Sequence, residues 1–146
     1  MRFLVKNVKV FTRDPYSNKI YQYLIEGRLK SGLRITLFDF KRFNLKDYED
    51  QQIEVLVFAL VAIDRKTSEF ERIKGKFKNG CSDEFAREWL KYEPDLSLDK
   101  YSALKTQDGI FLINHLNLDY FTIDYEDNLI VDIVRFDLFA WHSIEK

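Results

Sequence analysis

Short runs of alternating apolar and polar residues dominate this sequence, and they are rich in residues that favour β-strands. Phe occurs 13 times and Tyr 8 times among 146 residues, and Val, Ile and Thr accompany them in these runs. One stretch has a helical period instead. The sequence therefore predicts a mainly β protein.

The clearest predicted element is a β-hairpin. Its first arm, Ile20–Lys30, alternates apolar and polar residues, and Gly27 within it marks a bend or bulge. Ser31-Gly32 is a two-residue turn signal, and Leu33–Phe38 resumes the alternation as the second arm. Further strands are predicted at Phe3–Thr12, Gln52–Ile63, Glu69–Lys78, Gly109–Asn114, Tyr120–Asp124 and Leu129–Ile144.

Two of these predicted strands, Gln52–Ile63 and Leu129–Ile144, are apolar on both faces. A strand of this kind is covered on both sides in a folded protein. The cover comes either from the rest of the chain or from a partner.

One segment repeats its apolar residues at intervals of three and four, as an amphipathic helix does. These residues are Phe85, Ala86, Trp89, Leu90 and Tyr92. Ser82 is suited to cap the helix start, and Pro94 ends it. The sequence predicts one short α-helix over residues 82–93, between strands, and leaves residues 95–105 open as a second short helix or a loop.

This order of elements resembles the oligonucleotide/oligosaccharide-binding fold, or OB-fold. The resemblance covers roughly Ile20–Trp141 and rests on Gly27 in a long first strand and on the helix Ser82–Glu93 before the fourth. Extra strands lie at the start and after the buried strand. It implies an OB-like closed or partly open β-barrel, as a single domain over residues 1–146. Another small barrel of lipocalin-like size and a β-sandwich fit the same pattern.

Length and composition limit the class of protein. A 146-residue chain buries roughly 68–70% of its unfolded surface and can hold a core unaided. Lys6 interrupts the first apolar run, so no signal peptide is expected. The longest apolar run, Val55–Ile63, is far shorter than the ~20 residues of a membrane span. Cys81 is the only cysteine, which agrees with a reducing compartment. We expect a cytoplasmic protein with no membrane partner.

The sequence offers no recognisable metal site or catalytic constellation. Its two histidines, His115 and His142, lie far apart. Cys81 precedes the helix start, where the dipole lowers a thiol pKa, but the pattern favours a simple turn residue. An acidic cluster lacks the central glycine of a calcium loop; its members are Asp119, Asp124, Glu126 and Asp127. We expect no metal, no cofactor and no enzymatic activity.

The net charge of −1 conceals two oppositely charged segments. Met1–Lys46 contains 11 basic and 3 acidic residues, whereas Asp47–Lys146 contains 12 basic and 21 acidic residues. Cations and aromatic rings that surround a hairpin are typical of surfaces that contact phosphates and stack on bases. We therefore predict a single-stranded nucleic-acid site formed by Arg28, Lys30, Arg34, Phe38, Lys41 and Arg42. Phe38 is the predicted stacking residue because it shares the face of Arg34.

Four other interpretations fit the same residues. The basic hairpin is paired within the chain to the acidic carboxy-terminal strands, or it contacts another protein. The two-sided apolar strands favour a protein-interaction or assembly subunit, including a homo-oligomer. An aromatic-lined cavity inside the barrel would favour a small-ligand-binding protein.

Overall fold

The alternating sequence folds into a mainly β structure, as predicted. The computed structural model describes residues 1–62, 71–114, 122–123 and 128–144. Its strands are β1 (Arg2–Arg13), β2 (Ile20–Leu29), β3 (Arg34–Asp39), β4 (Gln52–Val61), β5 (Glu71–Lys78), β6 (Tyr101–Thr106), β7 (Gly109–Asn114), β8 (Thr122–Ile123) and β9 (Asn128–Ser143). Among the described residues, one α-helix, α1 (Asp83–Leu90), lies between β5 and β6, and one 3-10 turn, Lys46–Tyr48, lies between β3 and β4.

Eight of the strands pair in a closed ring. The order is β3-β2-β1-β4-β7-β6-β5-β9, and β9 pairs again with β3. The β3–β9 and β4–β7 pairs are parallel, and the other pairs in the ring are antiparallel. The short strand β8 extends the sheet on β9.

A long antiparallel ladder between β4 and β9 divides this ring in two. Ile53 pairs with Ser143 at one end of the ladder, and Val61 pairs with Ile133 at the other. One closed circuit, which we call the first circuit, consists of β1, β2, β3, β9 and β4. The second circuit consists of β4, β7, β6, β5 and β9.

The predicted two-sided burial of β4 is confirmed, and the cover comes from this chain. Val55 and Val57 belong to a large core cluster that extends through both circuits. Leu56 belongs to a second cluster, where it is buried with Trp89 of α1 and Ala140 of β9. Alternate residues of one strand therefore serve two cores.

The predicted hairpin is confirmed as β2 and β3, but its turn is one residue longer than predicted. Leu29 donates its amide to the Leu33 carbonyl, so three residues separate this pair. Gly32 closes the turn at φ 94°, a conformation that costs glycine little. Asp108, in the β6–β7 turn, accepts hydrogen bonds from the Ser31 amide and hydroxyl, both at 2.7 Å.

Gly27 allows β1 and β2 to approach closely, which explains the glycine within a strand. A Cβ at this position would overlap the Leu4 carbonyl oxygen and the ring of Phe3. The register of β1 against β2 also shifts between Val5 and Asn7, so Lys6 is an extra residue on the opposing strand. The predicted irregularity at Gly27 therefore corresponds to a bulge on the neighbouring strand.

The predicted helix is confirmed with a shorter extent. The Ser82 hydroxyl accepts a hydrogen bond from the Phe85 amide at 3.2 Å and caps α1 as expected. The helix ends at Leu90, and beyond it the Trp89 carbonyl accepts hydrogen bonds from the amides of both Tyr92 and Glu93, an arrangement common at helix ends. The segment up to Glu93 is thus a tightened turn.

Some of the remaining predicted elements lie only partly within the residues that the structure describes. Of the segment left open at 95–105, β6 occupies the end from Tyr101. Parts of the predicted strands at 52–63, 69–78 and 120–124 lie outside the described residues. All four members of the acidic cluster also lie outside them. Across the described residues, no helix has the length and apolar character needed to span a membrane.

We predict that Gly27→Ala destabilises the fold by about 1–3 kcal/mol, the usual cost of overpacking. The new Cβ must displace the Phe3 ring or the β1 backbone. Urea unfolding measures the change. Gly32→Ala is the comparison, because a Cβ there meets no atom within 4 Å and only the positive φ opposes it. A Gly27→Ala variant as stable as the parent protein would contradict the close approach.

Candidate nucleic-acid interface

The outer face of β1, β2 and β3 carries its polar residues in cross-strand rows. Arg28 of β2 lies directly opposite Arg34 of β3. Two residues along, Glu26 lies opposite Thr36, and two residues further Leu24 lies opposite Phe38. Because strand residues are about 3.4 Å apart, successive rows are separated by about 7 Å.

These rows form one wall of an open cleft of about 410 Å³, which we call the basic cleft. Lys6 of β1 lines it from one side. Residues 133–136 of β9 line it from the other side, where β9 meets β3. The cleft therefore exists because β9 closes the first circuit against β3.

A second open cleft, of about 390 Å³, continues along the same face toward the hairpin turn. Arg28 lines both clefts. Lys30 and Arg2 line the second one. The cations of the first sequence segment thus lie along two adjoining clefts, and Arg28 lines both of them.

The opposed Arg28 and Arg34 are the unusual feature of this face. Like charges directly opposite each other on antiparallel strands are destabilising. Within the described residues, no carboxylate lies within salt-bridge distance of Arg28, Lys30 or Arg34. The two arginines therefore face each other without a direct ion pair among the described residues, and the carboxylates nearest them in the cleft are Glu26 and Glu71.

The acidic residues of β9 that the structure describes are bound to other cations. Asp132 lies 3.1 Å from Nε of Arg72. Asp137 lies 2.9 Å from Nε of Arg135. Burial raises the pKa of Asp137, and the charge and hydrogen bond of Arg135 act in the opposite direction. Neither aspartate pairs with the hairpin, so the proposed internal neutralisation does not involve them.

Phe38 lies on the outer face with Arg34, as its position in the alternation indicates. It is half-buried, and its ring meets the edge of Phe11 with centroids 5.6 Å apart. Phe11, at the far end of β1, is 53% exposed. Tyr23 packs against the core instead, and nothing is described of the Tyr21 side chain. The two phenylalanines form an apolar platform at one end of the basic cleft.

Lys41 and Arg42 do not line the basic cleft. Lys41 donates from Nζ to the Phe139 carbonyl at 2.9 Å, and Arg42 donates to the Ile20 carbonyl at 3.5 Å. Both residues follow the end of β3, where the chain turns away from the outer face. The six predicted residues are therefore divided: four lie on the cleft path, and two lie beyond it.

Asp39 produces this change of direction. Its carboxylate is fully buried and accepts from the amides of Phe43 at 3.0 Å and Asn44 at 2.9 Å. Arg42 and Asn44 adopt positive φ values of 59° and 57°. A buried carboxylate thus fixes a tight loop with two residues in the left-handed region.

Four residues on or beside the cleft were missed by sequence reasoning. Lys6 was missed because no local pattern shows that β1 pairs with β2 and brings this residue to the hairpin face. Arg135 and Val134 were missed because only the β3–β9 pairing brings β9 to this face. Phe11 carried a signal, since an aromatic residue near a strand end shares the basic segment with the hairpin.

Cys81 and His142, the other described residues considered for chemistry, lie away from the basic cleft. Burial raises the pKa of the Cys81 thiol, which disfavours the thiolate, and Sγ lies 3.8 Å from the Tyr101 carbonyl oxygen. The His142 ring stacks on Tyr92 with centroids 3.9 Å apart. His115 lies outside the described residues. Among those described, no cluster of three or more His, Cys, Asp or Glu could hold a metal ion.

Comparisons with protein-family models, curated proteins and solved structures found no match. The function is therefore inferred from the geometry and charge of the outer face of β1, β2 and β3.

We predict that Asp39→Ala destabilises the protein by about 1–3 kcal/mol, because two partly buried amides lose their acceptor. Urea unfolding gives the free energy, and hydrogen exchange at the Phe43 and Asn44 amides reports the loop directly. Asp47→Ala is the control, since it removes an exposed carboxylate from the same connection. Equal effects of the two substitutions, or unchanged exchange in Asp39→Ala, would contradict this role.

Proposed function

We propose that this protein is a non-enzymatic module that binds single-stranded nucleic acid across the outer face of β1, β2 and β3. The observation that carries the proposal is the directly opposed pair of Arg28 and Arg34, with no carboxylate of the described residues within salt-bridge distance of either. A phosphate between two guanidinium groups removes their repulsion and gains charge-assisted hydrogen bonds. Lys30 extends the positive path toward the turn.

The aromatic end of the cleft supports the same ligand class. Phe38 and the exposed Phe11 offer ring surface about two rows from the arginines. Base–aromatic stacking contributes roughly 1–3 kcal/mol per base and tolerates any sequence. Cations and rings at separate ends of one cleft suit a ligand that alternates phosphates with bases.

We also propose that the first circuit is an OB-like barrel. The first circuit has five strands, as an OB barrel has. This assignment takes β1 as the first strand, whereas the sequence pointed to the Gly27 strand β2, and α1 follows the fourth strand, β4, rather than preceding it. With β1 first, β2 and β3 become the second and third strands. The face formed by those two strands is where OB-folds bind oligonucleotides. The strands β5 to β8 and helix α1 are then an insertion before the last barrel strand.

The assembly interpretation has less support from the described surface. Both faces of β4 are covered within the chain, so the strand that motivated a partner does not require one. Most apolar side chains of β9 are also buried, and Val134 is the exposed one beside the basic cleft.

Fluorescence anisotropy with a labelled oligo(dT) of about 15 nucleotides, near the largest site of one OB-fold, tests the proposal. We expect Arg28→Glu/Arg34→Glu to weaken binding at least about tenfold. About three phosphate contacts give a slope of about −2 in log K against log salt concentration for the parent protein. The double variant should have a shallower slope.

The matched control is Lys91→Glu/Lys100→Glu, which changes the net charge equally at exposed positions near α1. It should retain most of the affinity. The proposal fails if the parent protein does not bind, if binding ignores salt, or if both double variants weaken binding equally.

A further inference from the structure

The basic cleft contains a carboxylate at its centre, which phosphate binding alone does not explain. Glu26 lies in the row between the opposed arginines and the Phe38 platform, directly opposite Thr36. Asn7 of β1 is its partner on the other side. This middle row is polar, whereas the rows beside it are cationic and apolar.

Glu26 has an acceptor atom available. Lys9 binds its Oε1 at 2.7 Å, and this ion pair partly offsets the negative charge in the cleft. The described residues place no donor on Oε2. An ionised carboxylate can only accept hydrogen bonds, so this position attracts a ligand N–H group and repels a ligand carbonyl oxygen.

The spacing of the rows indicates that the ligand N–H group at Glu26 belongs to a nucleobase. A phosphate at the arginines and a base on the Phe11–Phe38 platform leave the polar row, about 7 Å from each, beneath the edge of a base. Carboxylates accept hydrogen bonds from the exocyclic amino group of cytosine, whereas thymine and uracil present an acceptor oxygen at the equivalent atom.

We infer that Glu26 selects strands whose bases carry an exocyclic amino group, with cytosine preferred over thymine or uracil. The inference rests on the proposed function, because it assigns specificity within the same cleft. Thr36, directly across the strand, is placed to contact the same base edge. Arg28 and Arg34 contribute affinity without distinguishing between bases.

The experiment compares the affinities for oligo(dC) and oligo(dT) of equal length, above neutral pH so that cytosine stays unprotonated. We expect the parent protein to prefer oligo(dC) by at least about fivefold, the lower range of one base contact. Glu26→Gln should reduce this ratio to near one, because the amide can also donate to the thymine carbonyl. Thermal unfolding verifies that the variant is folded, since an exposed ion pair contributes little to stability.

Glu71→Gln is the matched control. Glu71 lines the same cleft from β5, so its replacement removes one negative charge from the site but leaves the middle row intact. Both variants should bind both oligonucleotides somewhat more tightly, and only Glu26→Gln should lose the preference.

The outcomes separate the two proposals. Equal affinity of the parent protein for the two oligonucleotides, or a preference that survives Glu26→Gln, overturns the inference and leaves the proposed function standing. Absence of binding to either oligonucleotide overturns the proposed function and the inference together.

Discussion

The antiparallel ladder between β4 and β9 is the interaction on which the rest of the structure depends. It belongs to both five-stranded circuits, so each circuit closes only while the ladder is intact. It also separates the two cores, because alternate residues of β4 face the large cluster and the cluster beneath α1. Each strand of the pair is covered by the chain itself, which satisfies the constraint set by its two apolar faces.

The same ladder determines the electrostatics of the outer face. By holding β9 in register, it places Ile133–Phe136 at the edge of β3. The acidic neighbours Asp132 and Asp137 are then bound by Arg72 and Arg135. The opposed charges of the two sequence segments therefore do not cancel at the hairpin, within the described residues. Arg28 and Arg34 thus lie opposite each other without a direct ion pair, while Lys9 and Arg135 on the same face each bind a carboxylate.

Local elements were predictable from the sequence because their signals are local. Alternation gave the β2–β3 hairpin, two-sided apolarity gave β4, and the Ser82 cap with its helical period gave α1. Alternation also placed Phe38 on the face of Arg34. These patterns depend on side-chain spacing within one element, which the tertiary fold preserved.

Pairings between distant strands were not predictable, because periodicity holds no information on partners. The parallel β3–β9 contact forms one side of the basic cleft and brings Arg135 there. Lys41 and Arg42 follow the hairpin closely in sequence, yet the loop bound by Asp39 directs them elsewhere. The pairing of β1 with β2, which the alternation does not reveal, brings Lys6 to the same cleft. Proximity in sequence therefore wrongly included Lys41 and Arg42 in the site and left out Lys6 and Arg135.

The salt dependence of the free energy of unfolding reports whether Arg28 and Arg34 repel each other in the free protein. The free energy of unfolding of the parent protein and of Arg34→Gln is measured by urea denaturation from low to high salt. Removal of one like charge should stabilise the protein by roughly 0.2–1 kcal/mol at low salt, and the difference should vanish as salt screens the pair. A variant that is less stable than the parent protein at every salt concentration would show that Arg34 is compensated, and would contradict the account.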